Sequence, residues 1–354
     1  MRIALISTPF LAVPPKSYGG TELMVYELAE GLVKRGHRVE LYATGNSSTS
    51  AELRFLYSGA QWPPGPLTDL NHVAWSMQQV VERGPFDLIH AHSAAALACS
   101  RFLPGVPLVY TIHHARDKKL SAFYEYYPDV QYVAISEDQR RREIPLPHVA
   151  VIHHGLDPAK YECTSKPSGD YVCFIGRFSR IKGPHVAIDA AQRARVPIRI
   201  AGEVHQPDEE WANLELRPRL HQAHVTELGS IGQEEKAPLL SQARALLAPI
   251  EWNEPFGLTF IEAMLSGCPV VAYRRGSVPE LVEHGVTGLI ADTFEELVEY
   301  IRPDGAVDRL DRQAIRSHAA ARFNHRRMTA DYERLYHEAV AEMTPGGRWP
   351  ITAA

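Results

Sequence analysis

Two glutamates eight residues apart, Glu254 and Glu262, give the strongest indication of chemistry in this sequence. Their spacing alone carries little weight, because glutamate is abundant in the chain. Their setting is more informative: a turn-forming segment, Asn253–Gly257, precedes an apolar helix predicted over Leu258–Ser266. One carboxylate just before a helix and another on its second turn would both face the carboxyl end of a parallel sheet, where ligands bind in α/β folds. The structural alternative is that Glu254 only caps the helix and Glu262 is a solvated helix residue.

Residues that could hold a phosphate group occur elsewhere in the chain. Arg177 and Lys182 follow a predicted strand, and their fixed positive charge could neutralise a diphosphate leaving group. The helix that begins near Gly257 adds N-terminal N–H groups. Gly19 and Gly20 would let the backbone approach a phosphate or a sugar where a Cβ would obstruct it. The alternatives are exposed ion pairs for the two cations and an ordinary turn for the glycine pair.

The sequence contains no pattern typical of a metal site. No two aspartates lie two residues apart, and no cluster of His, Cys and Asp has ligand spacing. The four cysteines are scattered without a C-x-x-C pair, which is typical of reduced, packed thiols. We therefore expect a cytoplasmic protein that needs neither a metal ion nor a bound cofactor.

Composition excludes several classes of protein. The 37 Lys and Arg residues and 42 Asp and Glu residues are mixed along the chain, and the net charge of −5 argues against a nucleic-acid binder. No stretch approaches the ~20 apolar residues of a transmembrane helix. The apolar start of the chain ends at Pro9 without a small-residue cleavage site, so it indicates a first β-strand and not a signal peptide.

Short apolar stretches alternate with helix-length amphipathic segments, a pattern typical of parallel α/β sheets. The alternation pauses at Asp157–Gly169, which has the composition of a linker, and then restarts. The clearest predicted helix is Thr21–Lys34, with Gly36 just past its end. Predicted strands lie at Ile3–Ser7, Arg38–Ala43, Asp87–His90, Leu108–Ile112, Tyr132–Ile135, Val149–Ile152, Tyr171–Ile175, Ile198–Ala201, Val225–Leu228, Ala245–Leu247, Val270–Tyr273 and Gly288–Ile290. Two such halves predict two domains with a ligand site in the cleft between them.

The segment Glu254-Pro-Phe-Gly…Glu262-Ala-Met-x-x-Gly-x-Pro-Val-Val resembles the signature of family 4 retaining glycosyltransferases of the GT-B fold. Six further segments match that family's pattern in the expected order. They are Pro14–Glu22, Asp87–His92, Thr111–His113, Ile152–Asp157, Gly176–Gly183 and Pro279–Gly288. The resemblance implies two Rossmann-like domains with parallel sheets that face each other across a cleft. It also implies transfer of a sugar from a nucleoside diphosphate to a hydroxyl acceptor, with retention of the anomeric configuration.

The resemblance also implies roles for individual residues. Glu262 would accept hydrogen bonds from the donor ribose, Glu254 would bind hydroxyls of the transferred sugar, and His113 would lie close to that sugar. Backbone contacts would come from Phe256, Gly257 and Leu258. The nucleobase, of the UDP, GDP or dTDP type, is expected beside Ile231. His113 ends a predicted strand, where catalytic groups gather, and its neighbour His114 points to the opposite face. We interpret His90 and His92 as mainly structural.

Domain boundaries follow from the same resemblance. Residues 1–162 are expected to form the first domain, on the acceptor side, and residues 163–320 the second, on the donor side. Residues 321–354 are expected to form a C-terminal helix that returns to the first domain.

The acceptor is expected to meet the first domain near Gln61–Pro66 and the aromatic segment Arg116–Pro128. The short chain resembles members that decorate soluble small molecules, including oligosaccharide antibiotics of the avilamycin type. A polybasic membrane anchor is not indicated, since residues 1–162 are close to charge balance. The alternative of a weak contact with an anionic membrane surface is left open. The basic residues that could make it are Arg116, Lys118, Lys119 and Arg140–Arg142.

Two other classes of protein compete with this interpretation. A Rossmann oxidoreductase would need a G-x-G-x-x-G after the first strand, where this chain has Ser7-Thr-Pro-Phe-Leu. A non-catalytic nucleotide-sugar-binding relative, or a GT-B-type epimerase or phosphorylase, stays open as the alternative. For the transferase, the resemblance implies a front-face route in which a departing phosphate oxygen helps to deprotonate the acceptor.

Overall fold

Two parallel β-sheets organise the chain, and each belongs to its own unit. The structure, a computed structural model, describes residues 1–17 and 19–343. Met1–Gly155 and the chain from His325 onward form the first unit, and Leu156–Asn324 form the second.

The first unit contains a seven-stranded sheet with the order β3-β2-β1-β4-β5-β6-β7. Its strands are β1 (Arg2–Ile6), β2 (Arg38–Tyr42), β3 (Glu52–Arg54), β4 (Leu88–Ala91), β5 (Leu108–Ile112), β6 (Gln131–Ala134) and β7 (Val149–Val151). The central strands β4, β5 and β6 are buried along their whole length, as expected when helices cover both faces of a parallel sheet. The helices are α1 (Gly20–Lys34), α2 (Pro66–Arg83), α3 (Ala95–Ser100), α4 (Lys118–Tyr124), α5 (Glu137–Arg142) and a C-terminal helix (His325–Glu342).

The second unit contains a six-stranded sheet with the order β10-β9-β8-β11-β12-β13. Its strands are β8 (Val172–Ile175), β9 (Ile198–Ala201), β10 (Val225–Gly229), β11 (Leu246–Ala248), β12 (Val270–Tyr273) and β13 (Gly288–Ala291). Its helices are α6 (Pro184–Ala194), α7 (Glu209–Trp211), α8 (Arg217–Leu220), α9 (Gln233–Gln242), α10 (Leu258–Leu265), α11 (Val278–Leu281), α12 (Phe294–Ile301) and α13 (Arg312–Arg322). A π-helical segment, Ala212–Leu216, joins α7 to α8.

Both sheets are parallel, so the predicted pair of α/β folds is confirmed. All twelve predicted strands are present, with ends within one residue of the prediction. The structure adds β3, a short edge strand beside β2.

The boundary between the units lies after Gly155, seven residues before the predicted one. The intervening segment belongs to the second unit because the Arg316 side chain donates to the backbone carbonyls of Pro158, at 2.9 Å, and Tyr161. The chain leaves the second unit after Asn324 and returns to the first. Close to this point, Leu156 N–H donates to the Phe323 carbonyl at 2.9 Å.

The C-terminal helix packs on α1 of the first unit. The contact is close at Gly31, where a Cβ would lie 2.1 Å from Thr329 Oγ1, so α1 needs a glycine at this point. Residues 344–354, the end of the segment expected to return to the first domain, lie outside the described residues. Within the described part of the chain, no helix has the length and apolar character needed to cross a membrane.

In each sheet, the strand that comes first in the sequence lies at the switch point, where the order of the strands reverses. β1 lies between β2 and β4, and β8 lies between β9 and β11. Ligands bind beyond the carboxyl ends of the strands at such points. The residues to consider are therefore those that follow β1, β4, β8 and β11.

Candidate functional site

Glu254 lies in the turn between β11 and α10, with 8% of its surface exposed. Its Oε2 accepts hydrogen bonds from Lys182 Nζ and from Trp252 Nε1, the latter at 3.0 Å. The Lys182 ammonium also lies 5.0 Å from the centroid of the Trp252 ring, a cation–π distance. Among the described residues, no side chain or backbone group donates to the other oxygen, Oε1.

A glycine after β8 brings Lys182 to this carboxylate. Lys182 ends a 3₁₀ turn, Arg180–Lys182, and Gly183 follows it with a φ of +75°. A Cβ on Gly183 would lie 2.2 Å from the Pro249 carbonyl oxygen, so only glycine lets this turn pack against the end of β11.

A second glycine fixes the backbone of Glu254. Gly276 has a φ of +52°, and a Cβ there would lie 2.4 Å from both the nitrogen and the oxygen of Glu254. The next residue, Ser277, donates its N–H to the Glu254 carbonyl at 3.0 Å and its hydroxyl to the Phe256 carbonyl at 2.6 Å. The loop after β12 therefore holds the turn that carries Glu254.

Glu262 lies on the second turn of α10 with 1% of its surface exposed. Its Oε1 accepts from Lys236 Nζ of α9 at 2.8 Å and from the Tyr161 hydroxyl at 3.4 Å. No described residue donates to its Oε2. We call Glu254, Glu262, Lys182 and Lys236 the carboxylate site. Each carboxylate in it receives one lysine and one aromatic donor on one oxygen and keeps the other oxygen free of protein donors.

The start of α10 offers backbone donors near Glu254. Gly257, with a φ of +94°, stands at the N-cap, and no side chain caps the helix. A Cβ on Gly257 would lie 2.4 Å from the Phe260 ring, which explains the glycine. The first N–H groups of a helix lack intrahelical partners, so Leu258 and the next residue can donate to an anion.

Arg177 is placed differently from Lys182. It follows β8, and its Nε lies 4.0 Å from Asp208 Oδ2. The structure thus brings Lys182 together with Glu254 but gives Arg177 its own acidic partner. Ile231 follows β10, is buried, and borders a pocket of about 500 Å³ that Leu228 and Leu239 also line.

The predicted glycine pair of the first unit precedes α1. Gly19 has a φ of +149°, and a Cβ there would lie 2.7 Å from the Leu11 side chain. Gly20 begins α1. In the first turn of this helix, the buried Glu22 accepts from the Thr8 hydroxyl at 2.5 Å. Burial raises the pKa of Glu22.

Four histidines of the first unit form a line of rings that we call the histidine row. The neighbouring ring centroids lie 4.3, 5.0 and 5.4 Å apart in the order His90, His92, His113 and His154. His92 Nδ1 and His113 Nε2 share a hydrogen bond of 2.7 Å. His114 turns away and bonds the Tyr124 hydroxyl at 2.8 Å.

The histidine row carries little positive charge at neutral pH. Burial, with a smaller contribution from neighbouring histidines, lowers the pKa of His90 and of His113 to about 3. The same causes hold the pKa values of His92 and His154 well below the ordinary value. Within residues 1–17 and 19–343, no group of three or more His, Cys, Asp and Glu side chains is arranged to hold a metal ion.

Three side chains that the sequence analysis did not single out hold the two carboxylates: Lys236, Tyr161 and Trp252. Trp252 could have been noticed from its place two residues before Glu254. Lys236 and Tyr161 reach Glu262 only through the packing of distant segments, for which the sequence gives no local signal. His92, interpreted as mainly structural, bonds His113 directly.

Comparison with known proteins extends over both units. The family described as Glycosyltransferase Family 4 matches residues 18–160, and the family described as Glycosyl transferases group 1 matches residues 162–303. A D-inositol 3-phosphate glycosyltransferase of Pseudarthrobacter chlorophenolicus is 27% identical over 398 residues, which span 89% of this chain and 91% of that protein.

Two solved structures share the fold over nearly the whole chain. AviGT4, a glycosyltransferase involved in avilamycin A biosynthesis, has a TM-score of 0.75 at 24% identity and covers 99% of both chains. HepE of Anabaena, in complex with UDP-glucose, has a TM-score of 0.74 at 22% identity. That match covers 96% of this chain and 100% of HepE.

Proposed function

This chain belongs to the family 4 glycosyltransferases of the GT-B fold, and we propose that it transfers a sugar from a nucleoside diphosphate to a hydroxyl acceptor, with retention and without a metal ion. The observation that carries the proposal is the carboxylate site. Two buried carboxylates are each held by a lysine on one oxygen, and the other oxygen receives no donor from the described residues.

Sugar hydroxyls suit these free oxygens. An ionised carboxylate only accepts hydrogen bonds, so each free oxygen favours a ligand rich in O–H donors. We assign the transferred sugar to Glu254 and the ribose of the nucleotide to Glu262. Ile231, which follows β10, is our candidate neighbour of the nucleobase.

Positive charge for the diphosphate comes from the chain itself in this proposal. An ammonium group has three donors, and Lys182 uses one of them on Glu254, so it can also donate to a phosphate oxygen. Arg177 and the uncapped start of α10 add further donors. These groups would stabilise the negative charge that develops as the phosphate leaves.

Retention follows in this proposal from a front-face reaction. Both carboxylates of the site are held by lysines, which suits binding a sugar better than attacking its anomeric carbon. The bond from the anomeric carbon to the phosphate oxygen breaks through an oxocarbenium-like state. The acceptor oxygen then bonds that carbon from the same face, and its proton passes to the departing phosphate oxygen.

The first experiment identifies the nucleotide and the reaction. We expect one of UDP, GDP, ADP and dTDP to raise the melting temperature, because a ligand that binds only the folded state stabilises it. UDP-glucose is the first donor to test, since HepE binds it. NMR of the product with an acceptor panel should show a retained anomeric configuration, and EDTA should leave the rate unchanged.

Several outcomes would count against the proposal. An inverted product would contradict the front-face route, and a rate abolished by EDTA would contradict metal independence. Nucleotide binding without turnover on any donor and acceptor would favour a binding protein instead.

A further inference from the structure

The hydrogen bond between His92 and His113 restricts which ring nitrogen of His113 carries a proton. The two nitrogens that meet, His92 Nδ1 and His113 Nε2, lie 2.7 Å apart, so one donates and the other accepts. Both rings are neutral at physiological pH, since burial holds both pKa values far below 7. A neutral imidazole has one N–H and one lone pair, so only two arrangements exist.

In the first arrangement, His92 Nδ1–H donates to His113 Nε2. The proton of His113 is then on Nδ1, and this nitrogen is available as a donor. In the second, His113 Nε2–H donates to His92 Nδ1. His113 then offers a lone pair at Nδ1, and the proton of His92 is on its own Nε2.

The surroundings of His92 distinguish the two arrangements. Only 6% of His92 is exposed, and its Nε2 is buried without a hydrogen-bond partner among the described residues. The second arrangement would bury an N–H group with no acceptor, whereas the first leaves only an unused lone pair there. Orphaned buried N–H groups are rarer in proteins than under-satisfied acceptors.

We propose that His92 is a positioning residue that keeps His113 in the Nδ1–H form, so that His113 meets the substrate as a hydrogen-bond donor and not as a base. The assignment of the substrate rests on the proposed function, but the position of the proton does not. With no lone pair available on either nitrogen, His113 cannot take the acceptor proton. That proton must then pass to the departing phosphate oxygen, as the front-face reaction requires.

Nitrogen-15 NMR of the whole protein tests the proton position directly. Histidine nitrogens with and without a proton differ widely in chemical shift, so labelled wild-type protein at pH 7.5 should show His113 protonated at Nδ1 and not at Nε2. A His113→Gln variant assigns the signals. An Nε2–H form of His113 would overturn the proposal whether or not any nucleotide sugar is turned over, whereas failure on every donor would count against the proposed function alone.

Two variants of His92 test the consequence for activity. His92→Asn retains an N–H donor near the position of Nδ1, so its kcat should stay within a few fold of wild type. His92→Asp offers only an acceptor, so His113 must donate from Nε2 and lose its donor at Nδ1. At pH 8 we expect His92→Asp to lose about tenfold in kcat, the effect of one hydrogen bond.

The pH profile separates this role from a merely structural one. The carboxylate in His92→Asp would raise the pKa of His113, and protonated His113 donates from both nitrogens, so the activity of the variant relative to wild type should recover as the pH falls. The titratable and charged groups around the pair, which both proteins share, are His90, His114, His153, His154, Tyr332, Tyr336 and Arg327. Equal losses in the Asn and Asp variants at every pH would overturn the proposal. If His92→Asp does not fold, the NMR measurement and the kcat of His92→Asn still test the proposal.

Discussion

The carboxylate site of the second unit and the histidine row of the first unit are both buried, but they handle charge in opposite ways. Glu254 and Glu262 each lie against a lysine, so their charge is compensated by a partner. The histidine row becomes neutral instead, because burial lowers the pKa values of its four members.

The difference suits the work that we propose for each region. A fixed carboxylate can order the hydroxyls of a sugar, and a fixed lysine can meet a diphosphate, without reorganisation during the reaction. A neutral histidine can offer one N–H in a fixed direction without adding positive charge. Stability and pH dependence should therefore differ between the two regions, which can be measured.

The largest expected effect comes from removing the lysine that compensates Glu262. Lys236→Met leaves a buried carboxylate without its cation, which should lower the free energy of unfolding by about 3 kcal/mol. Chemical denaturation of both proteins measures the loss. Combining Lys236→Met with Glu262→Gln should recover part of it, because the uncompensated charge is then gone.

A matched control is the exposed ion pair between Arg274 and Asp292 in the same unit, with 2.8 Å between Arg274 Nε and Asp292 Oδ1. Arg274→Met should cause no measurable loss, since solvent screens exposed pairs. If Lys236→Met and Arg274→Met lost the same free energy of unfolding, compensation of a buried charge would not explain how Lys236 stabilises the protein.

Activity should respond strongly to the cations that we assign to the diphosphate. Arg177→Ala or Lys182→Ala removes a charge-assisted donor that acts mostly as charge develops, so kcat should fall by about 10²–10³. Steady-state kinetics on the identified donor measures the loss, and Arg274→Ala serves as the control. Near-normal turnover in both variants would refute this assignment.

Acid should destabilise the first unit through the histidine row. The unfolded chain takes up protons on histidine near pH 6.5, whereas folded His90 does so only near pH 3. Between these values the unfolded state binds more protons, so stability falls as the pH falls. At pH 5 the loss should be about 2 kcal/mol for such a histidine.

His90→Gln should reduce the slope of unfolding free energy against pH between pH 7 and 5. The exposed His221 of the second unit provides the control, and His221→Gln should leave the slope unchanged. A wild-type protein equally stable at pH 7 and 5 would contradict this prediction, because the histidine row would then take up protons without unfolding.

The fold could be predicted closely because the signals are local. Strands such as Leu108–Ile112 and Val270–Tyr273 are apolar, β-branched runs, and buried parallel strands show this composition. The missed strand, β3, is short and partly exposed, and ion pairs such as Arg54 with Glu40 support it in place of an apolar face.

The site could be predicted only in part, for the opposite reason. Glu254 and Glu262 belong to one motif, so the sequence reveals them together. Lys236 reaches Glu262 because α9 packs beside α10, and His92 reaches His113 because β4 pairs with β5. Such contacts arise from tertiary packing, which residue types and spacing do not encode locally.

The smallest expected effect concerns Trp252, which supports Glu254 in two ways. Its indole N–H donates to Oε2 at 3.0 Å, and its ring lies under the Lys182 ammonium. Trp252→Phe keeps a ring but removes the donor, so the carboxylate should be less well fixed while its charge stays compensated. We expect a KM for the donor about fivefold higher, the effect of one hydrogen bond of ~1 kcal/mol, with kcat nearly unchanged.

Trp252→Leu removes the ring as well, so Lys182 loses its cation–π contact and kcat should also fall. Comparing the two variants separates the donor from the ring. An unchanged KM in Trp252→Phe would mean that Lys182 alone fixes the carboxylate. The aromatic donor at Glu254 would then be dispensable for binding the donor sugar.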